Sequence, residues 1–233
     1  MSALATWVFI PGWGANEPLC RRFADSFGES TFRFLPWCDV LRDGDAAVDR
    51  ALPSDDSPCI LAGWSLGALL ALQTALDRPR RFAALVLISA TGRLTAVSGH
   101  AGADPRALRA MRLKFKLDPG TVLREFATLS MDPDGNDAAA AEYVRQALAH
   151  RTADLAEGLD ALSRLDLRDR VAQLAVPLWL VHGAEDRVVP VQASRELAAS
   201  APLSRLEVLP GRGHALPLVN PSALASIMKE IAA

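Results

Sequence analysis

The chain predicts an α/β fold, a mostly parallel doubly wound sheet with an inserted helical cap. Three observations lead there. Short, continuously apolar runs at 6–10, 31–35, 58–62, 83–89, 177–181 and 206–209 have the character of parallel strands covered on both faces. Helical patterns at about 17–27, 66–76, 191–199 and 221–231 alternate with them. Between the fourth and fifth runs, the stretch 91–170 offers helical pattern and no strand, with Pro105, Pro119 and the turn Asp132-Pro133-Asp134-Gly135 as punctuation. It reads as a cap laid over the strand ends. The expected division is therefore a core of 1–90 and 171–233 with a cap of 91–170.

At 233 residues a single domain with an insertion is expected, and half the residues are apolar, ample for a core. A net charge of −2 creates no global field favouring nucleic acid or membrane. Cys20, Cys38 and Cys59 are odd in number, widely spaced and fit no metal pattern. They read as reduced thiols, with Cys59 packed inside a strand. No signal-peptide pattern and no run of membrane-spanning length is visible, so a cytoplasmic protein, expected to be a monomer, is the plain reading.

The third apolar run feeds Gly63-Trp64-Ser65-Leu66-Gly67 and then a helix-forming stretch. This is the strand–turn–helix setting in which G-x-S-x-G forms a nucleophile elbow. By composition alone the pattern arises in roughly one chain in ten of this length, so its setting carries the weight. Ser65 is expected in a strained backbone conformation, and a Cβ at Gly63 or Gly67 to collide where strand and helix cross.

A serine hydroxyl near neutral pH needs a base. His214, in Gly211-Arg212-Gly213-His214-Ala215, follows the sixth run and so falls on the same sheet edge as Ser65. The bland alternative is a flexible glycine loop with a surface histidine. His182 ends a strand, and His100 and His150 lie in the cap. The base needs an orienting carboxylate. Asp186 follows the fifth run; Glu185 competes, and Arg187 could make either a surface ion pair. The order Ser65, Asp186, His214, each just after a strand, is more specific than any one of them. No metal or organic cofactor is called for. The oxyanion donors are expected to be the N–H of Leu66 and that of Trp13, in Pro11-Gly12-Trp13-Gly14. Trp13 and Trp64 would wall the nucleophile with apolar surface suited to an acyl chain, or be merely structural. In 105–116, Arg106, Arg109, Arg112 and Lys116 form a cationic stripe beside an apolar face of Leu108, Met111 and Phe115. It is either a solvated face or a dock for an acidic partner.

Taken together, these residues resemble the α/β-hydrolase superfamily, and within it the pimeloyl-[acyl-carrier protein] methyl ester esterases of biotin synthesis. Gly12-Trp13-Gly14, the elbow, Asp166-Leu167-Arg168, Gly183-Ala184-Glu185-Asp186 and Gly213-His214-Ala215 carry the likeness over most of the chain. The segment Phe126-Ala127-Thr128-Leu129-Ser130 is similar to a Phe-Leu-x-Leu-Gln segment that lines the acyl channel in that family. The resemblance implies hydrolysis of a methyl ester on an acyl chain held by a carrier protein, with the basic cap residues meeting the acidic carrier. Three departures stand out. Pro11 replaces the usual histidine, 35–39 lacks the usual Asp-x-Pro-Gly-x-Gly-x-Ser loop, and Ser130 replaces glutamine. The chain begins almost at the Gly-Trp-Gly strand, so two antiparallel strands usual in the superfamily are expected to be missing. Other uses of the same triad are a short-chain esterase, a thioesterase, a carbon–carbon bond hydrolase or a perhydrolase. A ligand-binding homologue without turnover is the rival of another class.

Overall fold

Six strands lie side by side in the order β2-β1-β3-β4-β5-β6, every neighbouring pair parallel, in a computed structural model that describes residues 6–28, 30–54, 57 and 59–232. The first half runs β1 (Thr6–Ile10), α1 (Glu17–Asp25), β2 (Thr31–Phe34), α2 (Trp37–Asp43), α3 (Asp45–Ala51), β3 (Cys59–Trp64), α4 (Leu66–Asp77) and β4 (Ala84–Ile88). Four helices follow β4: α5 (Pro105–Leu117), α6 (Pro119–Met131), α7 (Asp137–Ala147) and α8 (Thr152–Arg164). The chain then returns through β5 (Leu178–Gly183), α9 (Val191–Ser200), β6 (Ser204–Leu209), α10 (Leu216–Val219) and α11 (Pro221–Ala232). Pro58, at the start of the third expected run, lies outside the described residues.

The expectation of strands covered on both faces fits the middle of the sheet. β3 and β4 are buried at every position and β1 at all but its first residue. The outer strands differ: β2 and the first half of β6 alternate more and less exposed residues, because each has a neighbour on one side only. Around β1, Phe9, Phe23, Phe27, Phe32 and Phe34 form one cluster with ring centroids 4.8 to 6.0 Å apart. Such tilted and edge-on contacts add to the burial of apolar area.

Three of the four helices between β4 and β5, α5, α6 and α7, start where a side chain satisfies a free N–H group. Asp104 accepts from the Arg106 N–H ahead of Pro105, Asp118 from the Thr121 N–H ahead of Pro119, and Asn136 from the Ala139 N–H. The prolines read as punctuation are thus first residues of helices. Residues 37–51 hold the seven-residue helices α2 and α3, joined at Gly44 with φ of 54°.

The wiring of the sheet creates the crevice. The chain leaves β1 to build β2 on one side, then crosses back to place β3 on the other. Loops after β1 and β3 therefore diverge at the carboxyl edge, where open α/β sheets take their ligands. Ser65 follows β3, Trp13 follows β1, Asp186 follows β5 and His214 follows β6.

Candidate active site

Ser65 sits between β3 and α4 with φ of 56° and ψ of −118°, a conformation costly for a side chain with a Cβ. Sterics hold it there. A Cβ on Gly63 would lie 2.3 Å from the Gly67 carbonyl oxygen, where strand meets helix. A Cβ on Gly67 would lie 2.0 Å from the carbonyl oxygen of Ile10, so the second glycine makes room for the end of β1 rather than for its own strand. The Ser65 N–H donates to the Ile88 carbonyl at 3.0 Å, extending the β3–β4 ladder into the turn.

The Ser65 hydroxyl lies 2.9 Å from Nε2 of His214, whose Nδ1 lies 2.7 Å from Oδ2 of Asp186. Asp186 Oδ1 accepts from the N–H groups of Val188 and Val189, both at 2.8 Å. Oδ2 also faces Nε2 of His182 at 3.2 Å. Burial alone would raise the Asp186 carboxyl; the His214 and His182 imidazoles beside it outweigh that and hold it well below the ordinary carboxylate range. An ionised acceptor fixes the Nδ1–H tautomer of His214 and leaves Nε2 to accept the Ser65 proton. His214 is fully buried, not a surface residue on a loose loop, and Arg187 pairs with Asp132 rather than with Asp186.

The other three histidines make no hydrogen bond to Ser65. His182 is fully buried, with Nδ1 2.7 Å from Ser194 Oγ and Nε2 2.9 Å from the Val189 carbonyl. His100 lies against Glu196 and the Arg93 carbonyl, and burial lowers the pKa of His150, which packs on Trp37. Among the described residues no group of three His, Cys, Asp or Glu side chains forms a metal-ligand set.

Leu66 is the first residue of α4, where an N–H has no partner within the helix. Gly12 brings the loop after β1 so close that a Cβ there would lie 3.4 Å from that of Ser65. The next residue, Trp13, is anchored from three sides. Its carbonyl accepts from the Tyr143 hydroxyl at 2.6 Å, its indole N–H donates to the Leu155 carbonyl at 2.8 Å, and its ring meets Phe126 edge-on at 5.2 Å. Burial pushes the Tyr143 phenol well above its ordinary value, so it remains a donor.

Ser65 opens on a cavity of about 570 Å³ beneath the helices α5, α6 and α8. From α6, Val122, Glu125, Phe126 and Leu129 face it at helical spacing; from α5, Leu108, Met111 and Lys114; from α8, Leu159 and Leu162. The segment 126–130 is therefore divided. Phe126 and Leu129 line the cavity, Ala127 and Ser130 are buried on another face, and Thr128 is exposed with its hydroxyl on the Arg124 carbonyl. Trp64 does not line the cavity. It lies under the His214 loop, donating to the His214 carbonyl at 3.0 Å, and its ring packs on Gly12. On the outside of α5, Arg106, Arg109 and Lys116 are exposed, whereas Arg112 pairs with Asp160.

Sequence reasoning passed over the contributions of α8, Tyr143 and Ser89. Leu155, Leu159 and Leu162 stand at helical spacing, a signal that was there to find. Ser89, with φ of 50°, donates to the His214 carbonyl at 3.1 Å across 125 residues, which no local pattern announces.

A family model described as serine aminopeptidase, S33, matches residues 23–218. The chain is 32% identical to the pimeloyl-[acyl-carrier protein] methyl ester esterase of Aromatoleum aromaticum over 80% of this chain and 79% of that protein. To that of Neisseria meningitidis serogroup C it is 30% identical over 95% and 91%. Among solved structures, a hydrolase from Oleispira antarctica superposes with a TM-score of 0.87 at 13% identity, covering 99% of this chain and 91% of that one. An esterase from Exiguobacterium antarcticum gives 0.85 at 19%, covering 98% and 92%. These two likenesses concern the fold alone.

Proposed function

The chain belongs to the α/β-hydrolase family of the serine aminopeptidase S33 model and is a carboxylic ester hydrolase; from that premise we propose that Ser65, His214 and Asp186 hydrolyse the methyl ester of a pimeloyl-type chain presented by an acyl carrier protein. The observation that carries the reading is the hydrogen-bonded line from Asp186 through His214 to Ser65, opening on a cavity walled mostly by apolar side chains.

In this reading His214 takes the Ser65 proton as the hydroxyl attacks the ester carbonyl. The N–H groups of Leu66 and Trp13 hold the oxyanion, and the alcohol leaves with the proton from His214. Water, activated by the same imidazole, releases the acid. Asp186 stays ionised and stabilises the imidazolium. Val122, Phe126 and Leu129 on one side and Leu108 and Met111 on the other receive the methylene chain. The exposed Arg106, Arg109 and Lys116, beside Arg112 in its pair with Asp160, offer an acidic carrier a local positive surface although the whole chain carries −2. Support for the substrate comes from the names of the relatives, each of which covers most of this chain.

The test offers purified protein a methyl-pimeloyl carrier-protein conjugate alongside free short esters. A kcat/KM at least about tenfold higher for the conjugate, reduced by Arg109→Glu with unchanged turnover of p-nitrophenyl acetate, is expected for complementary charge at a docking surface. Equal rates on all esters would leave a general carboxylesterase. Ser65→Ala should lose about 10⁴-fold or more in kcat on every ester; retained turnover refutes the assignment of the nucleophile.

A further inference from the structure

The turn Asp132-Pro133-Asp134-Gly135, which follows α6, closes on the loop that carries His214. Asp134 is the centre of that contact. Its side chain is 3% exposed, Oδ1 accepts from the Arg212 guanidinium at 2.8 Å, and Oδ2 accepts from the Gly213 N–H at 3.0 Å. Both oxygens are thus used on the two residues immediately before the imidazole. Around this clasp, the Ala215 N–H donates to the Ser130 carbonyl at 3.1 Å. A Cβ on Gly213 would lie 2.1 Å from the Asp132 carbonyl oxygen, so the two backbones run in direct contact. The same loop leans on the acid's loop, since the Glu185 N–H donates to the Arg212 carbonyl at 2.9 Å.

We propose that Asp134 is a positioning residue for the reaction, holding the backbone of residues 212–213 so that the His214 imidazole meets Ser65 and Asp186 at hydrogen-bond distance. The proposal rests on His214 acting as the base. A base shifted by a fraction of an ångström loses its line to Ser65, while the cavity and the oxyanion loop are untouched. The side chain at 134 touches neither Ser65 nor the cavity wall, so the effect falls on turnover and not on substrate binding.

The experiment compares Asp134→Ala and Asp134→Asn with the unaltered protein on p-nitrophenyl acetate, together with the rate of Ser65 labelling by a fluorophosphonate and the Tm. Asp134→Ala is expected to lower kcat by about a hundredfold, the size of effect that a small misplacement produces, with KM little changed. Labelling of Ser65 should slow in parallel, because it reports activation of the hydroxyl without an acyl pocket. Asp134→Asn keeps an oxygen for the Gly213 N–H and loses the charge-assisted bond to Arg212, so its kcat should lie between the two. If Asp134→Ala does not fold, Asp134→Asn carries the test. A purely structural carboxylate would lower Tm and leave kcat and labelling at their original values in the folded protein, and that result in either folded variant overturns the proposal. Loss of activity in Ser65→Ala alongside unaltered kcat in Asp134→Ala removes only the role of Asp134. Turnover surviving in Ser65→Ala removes the reading of the whole centre.

Discussion

Ser65 and His214 stand 2.9 Å apart and are held by opposite means. The elbow under Ser65 is a matter of backbone sterics inside the core. Gly63 and Gly67 leave room for a helix turn and for the end of β1, and no side chain has to reach in from elsewhere. The imidazole sits on a loop whose place depends on groups arriving from distant parts of the chain. Trp64 and Ser89 donate to its carbonyl, Ser130 accepts from the N–H of the next residue, and Asp134 holds the two residues before it. A serine placed by excluded volume tolerates almost no substitution beneath it. A histidine placed by individual hydrogen bonds should weaken by steps.

The comparison breaks most sharply at Gly67. Alanine there would place its Cβ 2.0 Å from the Ile10 carbonyl oxygen, and backbone has to move. Gly67→Ala is expected to cost about 3 kcal/mol or more, roughly 10 °C in Tm, with loss of activity following loss of fold. Thermal unfolding followed by circular dichroism checks it. A Tm within a degree of the original would show that the elbow is not sterically fixed. Trp64→Phe tests the other side. It deletes one of the two donors on the His214 carbonyl and keeps most of the ring, so about 1–2 kcal/mol of stability should go, with kcat reduced about tenfold and KM steady. An unchanged kcat would mean that Ser89 alone suffices.

The smallest effect concerns acid. Asp186 has its carboxyl held below the ordinary range in the folded protein, so it binds fewer protons there than in the unfolded chain. Its contribution to stability is complete above the unfolded value of about 3.9 and disappears as pH falls through the lower folded value. The difference in Tm between the unaltered protein and Asp186→Asn should thus stay level from pH 7 to about 5 and shrink below about 4. A difference that faded already between pH 7 and 5 would contradict the depressed carboxyl.

The same contrast explains what could be read from the residues alone. The elbow was legible because its requirements are local: an apolar strand, two glycines, a serine and a helix within twelve residues. Asp186 and His214 were legible for a topological reason. In a parallel sheet, whatever follows a strand emerges at the same edge, so three residues after three strands fall on one side of the sheet. Tyr143, Ser89 and Asp134 meet their partners across 130, 125 and 79 residues, and a tyrosine, serine or aspartate at those distances looks like any other. Adjacency in sequence to Ser65 suggests a cavity wall at Trp64. In the fold that adjacency points it the other way, beneath the histidine. The helices α2 and α3 escaped because seven residues give fewer than two turns of periodicity, broken further by Gly44.

One consequence lies in the ties that run downward from α6, α7 and α8. Tyr143 grips the carbonyl of Trp13, the Leu155 carbonyl takes its indole N–H, Gln146 pairs with Asn16, and the end of α6 clasps the histidine loop. Lifting these helices as a body would break the contacts that hold the Trp13 loop and the His214 loop together. Apart from these ties, α5 shows solvent its outer leucines, Leu113 and Leu117, 56% and 88% exposed, and its Lys114 pairs with Glu125, both of them lining the cavity.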